Sequence, residues 1–230
     1  KLWLWLLLLT IVHTTVFASE NGLPLLKNYK PNEYNAGTQN WAIVQDQRGI
    51  LYVGNNVGVL EFDGVQWQTI QTSNQSVVRS LAVGPDGRIF VGAKGDLGYI
   101  DPMAGPRFVS WTDRIPQQYR DFADIRQTFV TPDGVLFVSR RDVFLINEQE
   151  VRTWRSNSHY GKAFQVNNQI LIVDEQRGLL QLQGDDFQAV SGAEGLLDKN
   201  IFVVEGWHDG RLLIGCRGAG FFLLDQQGLT

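Results

Sequence analysis

An all-β repeat chain is indicated by three observations. The first is the stretch 40–67, NWAIVQDQRGILYVGNNVGVLEFDGVQW. In it, short apolar runs at 41–44, 50–53, 59–62 and 65–70 are separated by the turn signals 46–49 (DQRG), 54–58 (GNNVG) and Asp63-Gly64. Strands of this length joined by Gly-rich turns form an antiparallel meander, and Asp-Gly suits a type I′ hairpin because both central residues need positive φ. The second observation is recurrence. Taking Gly49, Gly87, Gly134, Asn168 and Gly210 as markers of the first hairpin turn, the steps are 38, 47, 34 and 42 residues. The third is an aromatic residue on each visible fourth run: Trp67, Phe108 with Trp111, Trp154 and Phe187. A unit of about 40 residues with four strands is the signature of a β-propeller blade. The fold class is therefore a β-propeller of four-stranded antiparallel blades.

In chain order, residues 1–18 (KLWLWLLLLTIVHTTVFA) have a basic first residue, an apolar run and small residues before Ser19. They read as a signal peptide; the alternative, a membrane anchor, needs a span of about 20 apolar residues. Residues 19–38 are polar, with Pro24, Pro31 and Gly37, and read as a lead-in segment. Tyr29 and Tyr34 are its candidate anchors on the propeller.

Five blades follow, at about 39–71, 77–112, 124–156, 161–191 and 200–230. The second run recurs at 88–92 (RIFVG), 135–139 (VLFVS), 169–173 (QILIV) and 211–215 (RLLIG). The third recurs at 97–101 (LGYID), 143–147 (VFLIN), 179–183 (LLQLQ) and 221–225 (FFLLD). Runs that are apolar at successive positions fit strands covered on both faces, as in a stack of sheets. The fifth unit shows no fourth run, and propellers close with about 4–8 blades. The chain is expected to be a fragment, with five blades visible of an expected seven. The segment 112–123 (TDRIPQQYRDFA) is an insertion between blades two and three, read with one short helical turn after Pro116. It could form part of a binding face or be a solvated connection.

Composition narrows the function. The chain has 230 residues, 43% hydrophobic and 19% charged, with a net charge of −4 and one cysteine. That charge disfavours a nucleic-acid partner, and a lone Cys216 excludes an intrachain disulfide. The stretch 92–98 (GAKGDLG) resembles a phosphate loop but lacks the GK[ST] ending and a following helix, so it reads as a hairpin loop. No metal-ligand spacing, nucleophile elbow or cofactor motif is present, so no cofactor and no metal site is expected. His159, in the connection between blades three and four, reads as an exposed loop residue. Asp185-Asp186 reads as a solvated turn.

Loops joining second to third strands share a face with the connections between blades. In blades two to five they carry Lys94, Arg140 with Arg141, Arg177 and Arg217, and in blade one Asn55 and Asn56. Converging there, the basic side chains would form a positive ring suited to carboxylate or sulfate. The alternative is ordinary charged hairpin tips, neutralised by Asp96, Asp142, Asp174 and Glu175.

Blade one also carries a resemblance. Asn40-Trp41, Gln45-Asp46, Gly49, Tyr52, Gly54-Asn55, Gly58, the run Leu60 to Gly64 (LEFDG) and Trp67 resemble two-component-regulator propellers. The lead-in Tyr29, Pro31, Glu33-Tyr34 and Gly37 does so too. These propellers are the extracellular sensor regions of bacterial histidine kinases, hybrid two-component sensors and diguanylate cyclases. The likeness covers about residues 27–230 and is most specific over 29–67; blade four departs from it at Asn167-Asn168. It implies a seven-bladed sensor propeller on the periplasmic or extracellular side of a bacterial inner membrane. The propeller would be tethered through a missing C-terminal region and homodimeric in the full-length receptor. The expected partner is an extracellular ligand, an anionic oligosaccharide being the candidate, and the fragment itself is not expected to be an enzyme. The alternatives are an exported propeller enzyme of the lyase or glycosidase kind, which needs converging carboxylates or a His-centred set, and a protein-binding scaffold.

Overall fold

The computed structural model describes residues 26–225 and 227–230. The expected signal peptide, 1–18, lies outside the described residues. The chain divides into two compact units between Lys30 and Pro31. In the first, the described residues carry no regular element, and the Lys27 ammonium lies 4.4 Å from the Tyr29 ring centroid. The second unit begins with a single helical turn, α1 (Pro31–Tyr34), whose proline occupies the position where a missing N–H costs nothing. Tyr34 is buried, 5.7 Å from the Trp67 ring, which itself stacks on Phe62. The last part of the lead-in, from Pro31, is thus docked on blade one by Tyr34, one of the two tyrosines expected to anchor it.

Five four-stranded antiparallel meanders follow. Blade one is β1 (Asn40–Gln45), β2 (Leu51–Asn55), β3 (Gly58–Phe62) and β4 (Trp67–Ile70). Blade two is β5 (Val78–Val83), β6 (Ile89–Ala93), β7 (Leu97–Ile100) and β8 (Phe108–Ser110). Blade three is β9 (Gln127–Thr131), β10 (Gly134–Val138), β11 (Asp142–Ile146) and β12 (Val151–Arg155). Blade four is β13 (Tyr160–Val166), β14 (Gln169–Asp174), β15 (Gly178–Gln183) and β16 (Asp186–Ala189). Blade five is β17 (Asn200–Gly206), β18 (Leu212–Arg217), β19 (Gly220–Asp225) and β20 (Gly228–Leu229).

The turns fall where the sequence reading put them, but their type differs from the one expected for Asp-Gly. In the first hairpin of blade one, the Asp46 carboxylate accepts bonds from the amides of Arg48 and Ile50, and Gly49 has φ +85. In blade four, Asn167 and Asn168 take φ +49 and +63, the two positive values a type I′ turn requires. At Asp63-Gly64, Asp86-Gly87 and Asp133-Gly134 only the glycine is positive, at φ +95, +83 and +141, so the type I′ geometry expected for Asp-Gly is found at the asparagine pair instead.

Two expectations are revised. Blade five does have a fourth strand. Leu224 pairs with Leu229 and Asp225 with Gly228, and Leu223 and Thr230 exchange two backbone bonds of 2.8 Å. A strand of two residues is too short to show any alternation in sequence. The insertion after blade two holds two 3-10 turns, Thr112–Arg114 and Gln117–Tyr119. It is also no free loop, because its Ile115 and Phe122 are buried.

The first strands of successive blades lie side by side, β1 by β5, β5 by β9, β9 by β13 and β13 by β17, so they form the inner edge of the fan. Four hydrophobic clusters fill the four interfaces between consecutive blades. Blade three shows how. Val135 and Phe137 of β10 enter the cluster shared with blade two, whereas Leu136 and Val138 enter the one shared with blade four. Alternation survives, but both faces are apolar, which is why the run reads as continuous. The outward faces of the terminal blades stay open, with Ile43 66% and Phe221 74% exposed.

Close approach of the blades depends on second-strand glycines. A Cβ on Gly54 would lie 3.0 Å from Val78 of blade two, and one on Gly92 would collide with Ser80 and Ile125. Side-chain ties then fix the connections. Asn55, fully buried, bonds the Gly37 amide and the carbonyls of Gly37 and Gln39. Asp96 accepts from the Ser73 amide and from the hydroxyls of Ser110 and Thr112. Asp142 holds Arg155 at 2.6 Å. Asp174 accepts from the hydroxyls of Ser156 and Ser158 and the amides of Gln176 and Arg177. Burial pushes the Asp174 carboxyl up, but these four donors outweigh it and hold the group below its ordinary value of 3.8.

Two outcomes follow from this packing. Gly92→Ala should cost about 1–3 kcal/mol in urea unfolding through overpacking. Gly161→Ala, whose Cβ would meet only ordinary contact 3.5 Å from Val173, should stay within about 0.5 kcal/mol of the parent. Equal costs would contradict the close-approach account. Asp174→Asn should lose about 1–3 kcal/mol at neutral pH. Because the folded-state value of Asp174 is depressed, its contribution is present above pH 3.8 and is lost as pH falls through the lower folded value. The stability gap between parent and variant should therefore narrow below pH 4, and a gap that widens on acidification would contradict the assignment.

Candidate functional site

The inter-blade connections and the loops after each second strand lie on one face and bond to each other. The Lys94 amide donates to the Val77 carbonyl, that of Gly95 to Ala123, that of Ser156 to Arg141, that of Tyr160 to Arg140 and that of Glu175 to His159. The seven ring residues expected from sequence all map to this face, but their side chains have different roles. Lys94 and Arg141 are exposed, and neither has a carboxylate within 4 Å among the described residues. Arg140 lies 3.8 Å from Glu175, which also meets His159 Nδ1 at 3.1 Å. Arg177 turns back onto its own blade and donates to the Phe187 carbonyl, so it is not a ring member. Asn55 is buried in the lead-in tie, which removes it from any ligand-facing role. Asn56 is engaged by the Trp41 indole N–H at 2.9 Å and by Gln39. Arg217 stands over the Phe202 ring, 4.2 Å from its centroid.

Phe202 belongs to a feature that sequence reading does not reveal. Four first strands carry a β-bulge near their start. The register skips Trp41 in β1, Arg79 in β5, Gly161 and Lys162 in β13 and Phe202 in β17. In blade three the Arg126 amide donates to the carbonyl of Val138, the residue already paired with Gln127. A bulge leaves one residue unpaired and re-aims its side chain, and bulges gather at rims and binding sites. Here they place Trp41, Arg79, Arg126, Lys162 and Phe202 along the inner edge of the connection face.

The rim has two unlike ends. At blades one and two, the Arg79 guanidinium lies 3.8 Å from the Trp41 ring centroid and is neutralised by Asp124 at 3.0 Å. At blades four and five, Lys162 Nζ lies 4.1 Å from the Phe202 centroid and donates to the Phe202 carbonyl at 3.3 Å. Arg217 shares the same ring. No described carboxylate lies within 4 Å of Lys162 or Arg217, whereas Lys199 nearby has Asp198 at 3.3 Å. Two like charges on one ring repel, and the repulsion grows as the effective dielectric constant falls. The ring quadrupole offsets part of that, about 0.5–1 kcal/mol for an exposed pair.

Clefts open beside these residues. One of about 750 Å3 is lined by Arg126, Lys162 and Lys199, by the carboxylates of Asp174, Glu175 and Asp198, and by Gln127, Asn200 and Phe202. Another, of about 270 Å3, gathers Arg140, Arg141, Arg155 and His159 with Asp121. Arg155 is held firmly charged, first by its bond to Asp142. Tyr160, behind these clefts, is pushed up to about 12 by burial and by the Asp174 charge, so it stays a neutral phenol. Asp185 is spent on Arg152 at 2.7 Å, so the Asp185-Asp186 turn offers no carboxylate pair. Among the described residues, no group of three or more His, Cys, Asp or Glu could hold a metal ion, and no helix is long and apolar enough to cross a membrane.

No protein-family model matches the chain, and no curated protein matches it in sequence. Solved structures match in shape. A catalytically inactive variant of virginiamycin B lyase from Staphylococcus aureus, crystallised with quinupristin, superposes with a TM-score of 0.61 at 13% identity, over 89% of this chain and 72% of the lyase. The extracellular domain assigned to the hybrid two-component system BT4673 of B. thetaiotaomicron gives 0.58 at 17% identity. That match covers 84% of this chain, which spans only 27% of that domain. The WD40 propeller domain of Doa1 gives 0.57 at 15% identity, over 84% of this chain and 69% of the domain. A lyase, a receptor ectodomain and a WD40 domain share blades and little else, so the likeness carries one conclusion: this chain folds as the blades of a β-propeller.

Proposed function

We propose that the chain is the ligand-receiving propeller of a bacterial signalling receptor, exported to the periplasmic or extracellular side, and that its ligand is an anionic oligosaccharide. The observation that carries this reading is the charge arrangement of the connection face. Asp96, Asp142 and Asp174 are buried in structural ties, while Lys94, Arg126, Arg141, Lys162 and Arg217 reach the surface without a carboxylate partner among the described residues. A net-negative protein that gathers cations without carboxylate partners on one face attracts anions there more than elsewhere. The blade-one resemblance and the receptor ectodomain among the shape matches support the sensor role. A ligand would signal by binding two arrangements of the receptor with different affinity. Tethering through a later segment and dimerisation belong to this proposal.

The His159–Glu175 pair favours a second reading, an exported enzyme with general acid/base chemistry in the smaller cleft. Incubation with acidic oligosaccharides separates the two. The sensor reading expects binding with the ligand recovered intact; cleaved or unsaturated products would establish the enzyme. Titration calorimetry with oligogalacturonate and with neutral oligosaccharides of equal length tests the charge argument. Uronate binding should weaken roughly tenfold between low and high salt, since exposed charges are screened beyond about 8 Å at physiological ionic strength. Equal affinity for the neutral sugars, or no salt dependence, would contradict it.

A further inference from the structure

Among the described residues, the two cations on the Phe202 ring have no carboxylate within 4 Å. We propose that Lys162 and Arg217, held over Phe202 at the inner rim, are the carboxylate-binding subsite of this module, and that they take one uronate group. The remaining sugar would lie in the adjoining cleft beside Arg126 and Asn200. This deepens the anionic-ligand reading given above and rests on it.

Four observations converge on this spot. The β13 and β17 bulges put Lys162 and Phe202 outside their strand ladders, so both side chains face the rim rather than a blade interface. Phe202 is 38% exposed and holds the ammonium at 4.1 Å and the guanidinium at 4.2 Å. The two cations therefore sit no further apart than those two distances together. The cleft of about 750 Å3 that Lys162 and Phe202 line is of the size that takes a small ligand. The carboxylates that line the cleft have partners of their own: Asp174 has four internal donors, Asp198 has Lys199, and Glu175 has Arg140 and His159. At the opposite end of the rim, Arg79 has the same aromatic support from Trp41 but is neutralised by Asp124. That end is the internal comparison: it shows the same device with its anion supplied by the chain.

The experiment is calorimetric titration of the whole chain with digalacturonate, with a sulfated disaccharide and with a neutral disaccharide. Lys162→Met and Arg217→Met should each weaken digalacturonate binding about tenfold or more, because hydrogen bonds to charged groups are the strong ones. Phe202→Leu, which keeps both cations but removes the ring, should weaken it several-fold. Arg107→Met, in the loop on the opposite face, should leave affinity unchanged. Thermal melting of each variant separates lost binding from lost folding, and Phe202→Leu, at an exposed position, keeps the test open should either methionine variant unfold. Parental affinity in both Met variants would overturn the subsite while leaving the anionic-ligand reading standing. Absence of binding to any of the three probes by the parent protein would overturn both. Tighter binding of the sulfated probe than of digalacturonate would overturn the uronate assignment.

Discussion

Burial of both faces of every internal blade is the constraint on which the rest of this structure depends. A single four-stranded meander cannot hide Leu136 and Phe137 together, because successive residues of a strand point to opposite sides. Blade three hides both only because blade two covers one side and blade four the other. The glycines at 54 and 92, the buried carboxylates and the insertion before blade three all serve that contact. They bring the next blade close, or they lock the connection that carries the chain across to it.

The exposed charge of the connection face is a by-product of the same ties. Closing each connection uses a buried acid in blades two, three and four, and an asparagine in blade one. Those acids are screened from the surface by their own hydrogen bonds. The basic residues beside them are left to face solvent or to lean on aromatic rings. A chain with an acidic total thus acquires a face on which Lys94, Arg126, Arg141, Lys162 and Arg217 are exposed with no carboxylate within 4 Å among the described residues, alongside the exposed Asp121.

Fold and site differ in how far the sequence discloses them. Turn chemistry and spacing set out nearly all the strands, because Asp-Gly, Pro-Asp-Gly and Asn-Asn each impose positive φ at fixed intervals. Gly228–Leu229 escaped notice since two residues carry no period. Position on a hairpin tip placed Lys94, Arg141 and Arg217 on the correct face. It said nothing of direction, so Arg177, bonded to the Phe187 carbonyl, and Asn55, sealed in the lead-in tie, were equally good candidates on paper. Lys162 and Phe202 were invisible for a different reason: a bulge adds one residue to a strand without changing the turns that delimit it. The signal that could have found them is the odd count between the end of each connection and the first paired residue.

The measurement that bears most directly on this account is hydrogen–deuterium exchange of the chain with and without a saturating acidic oligosaccharide. The account predicts slowed exchange at 160–163, 200–203 and 216–218, the three segments that meet at the Phe202 rim, with the turns at 46–49, 85–87 and 132–134 unchanged. Protection confined to those opposite-face turns would contradict it.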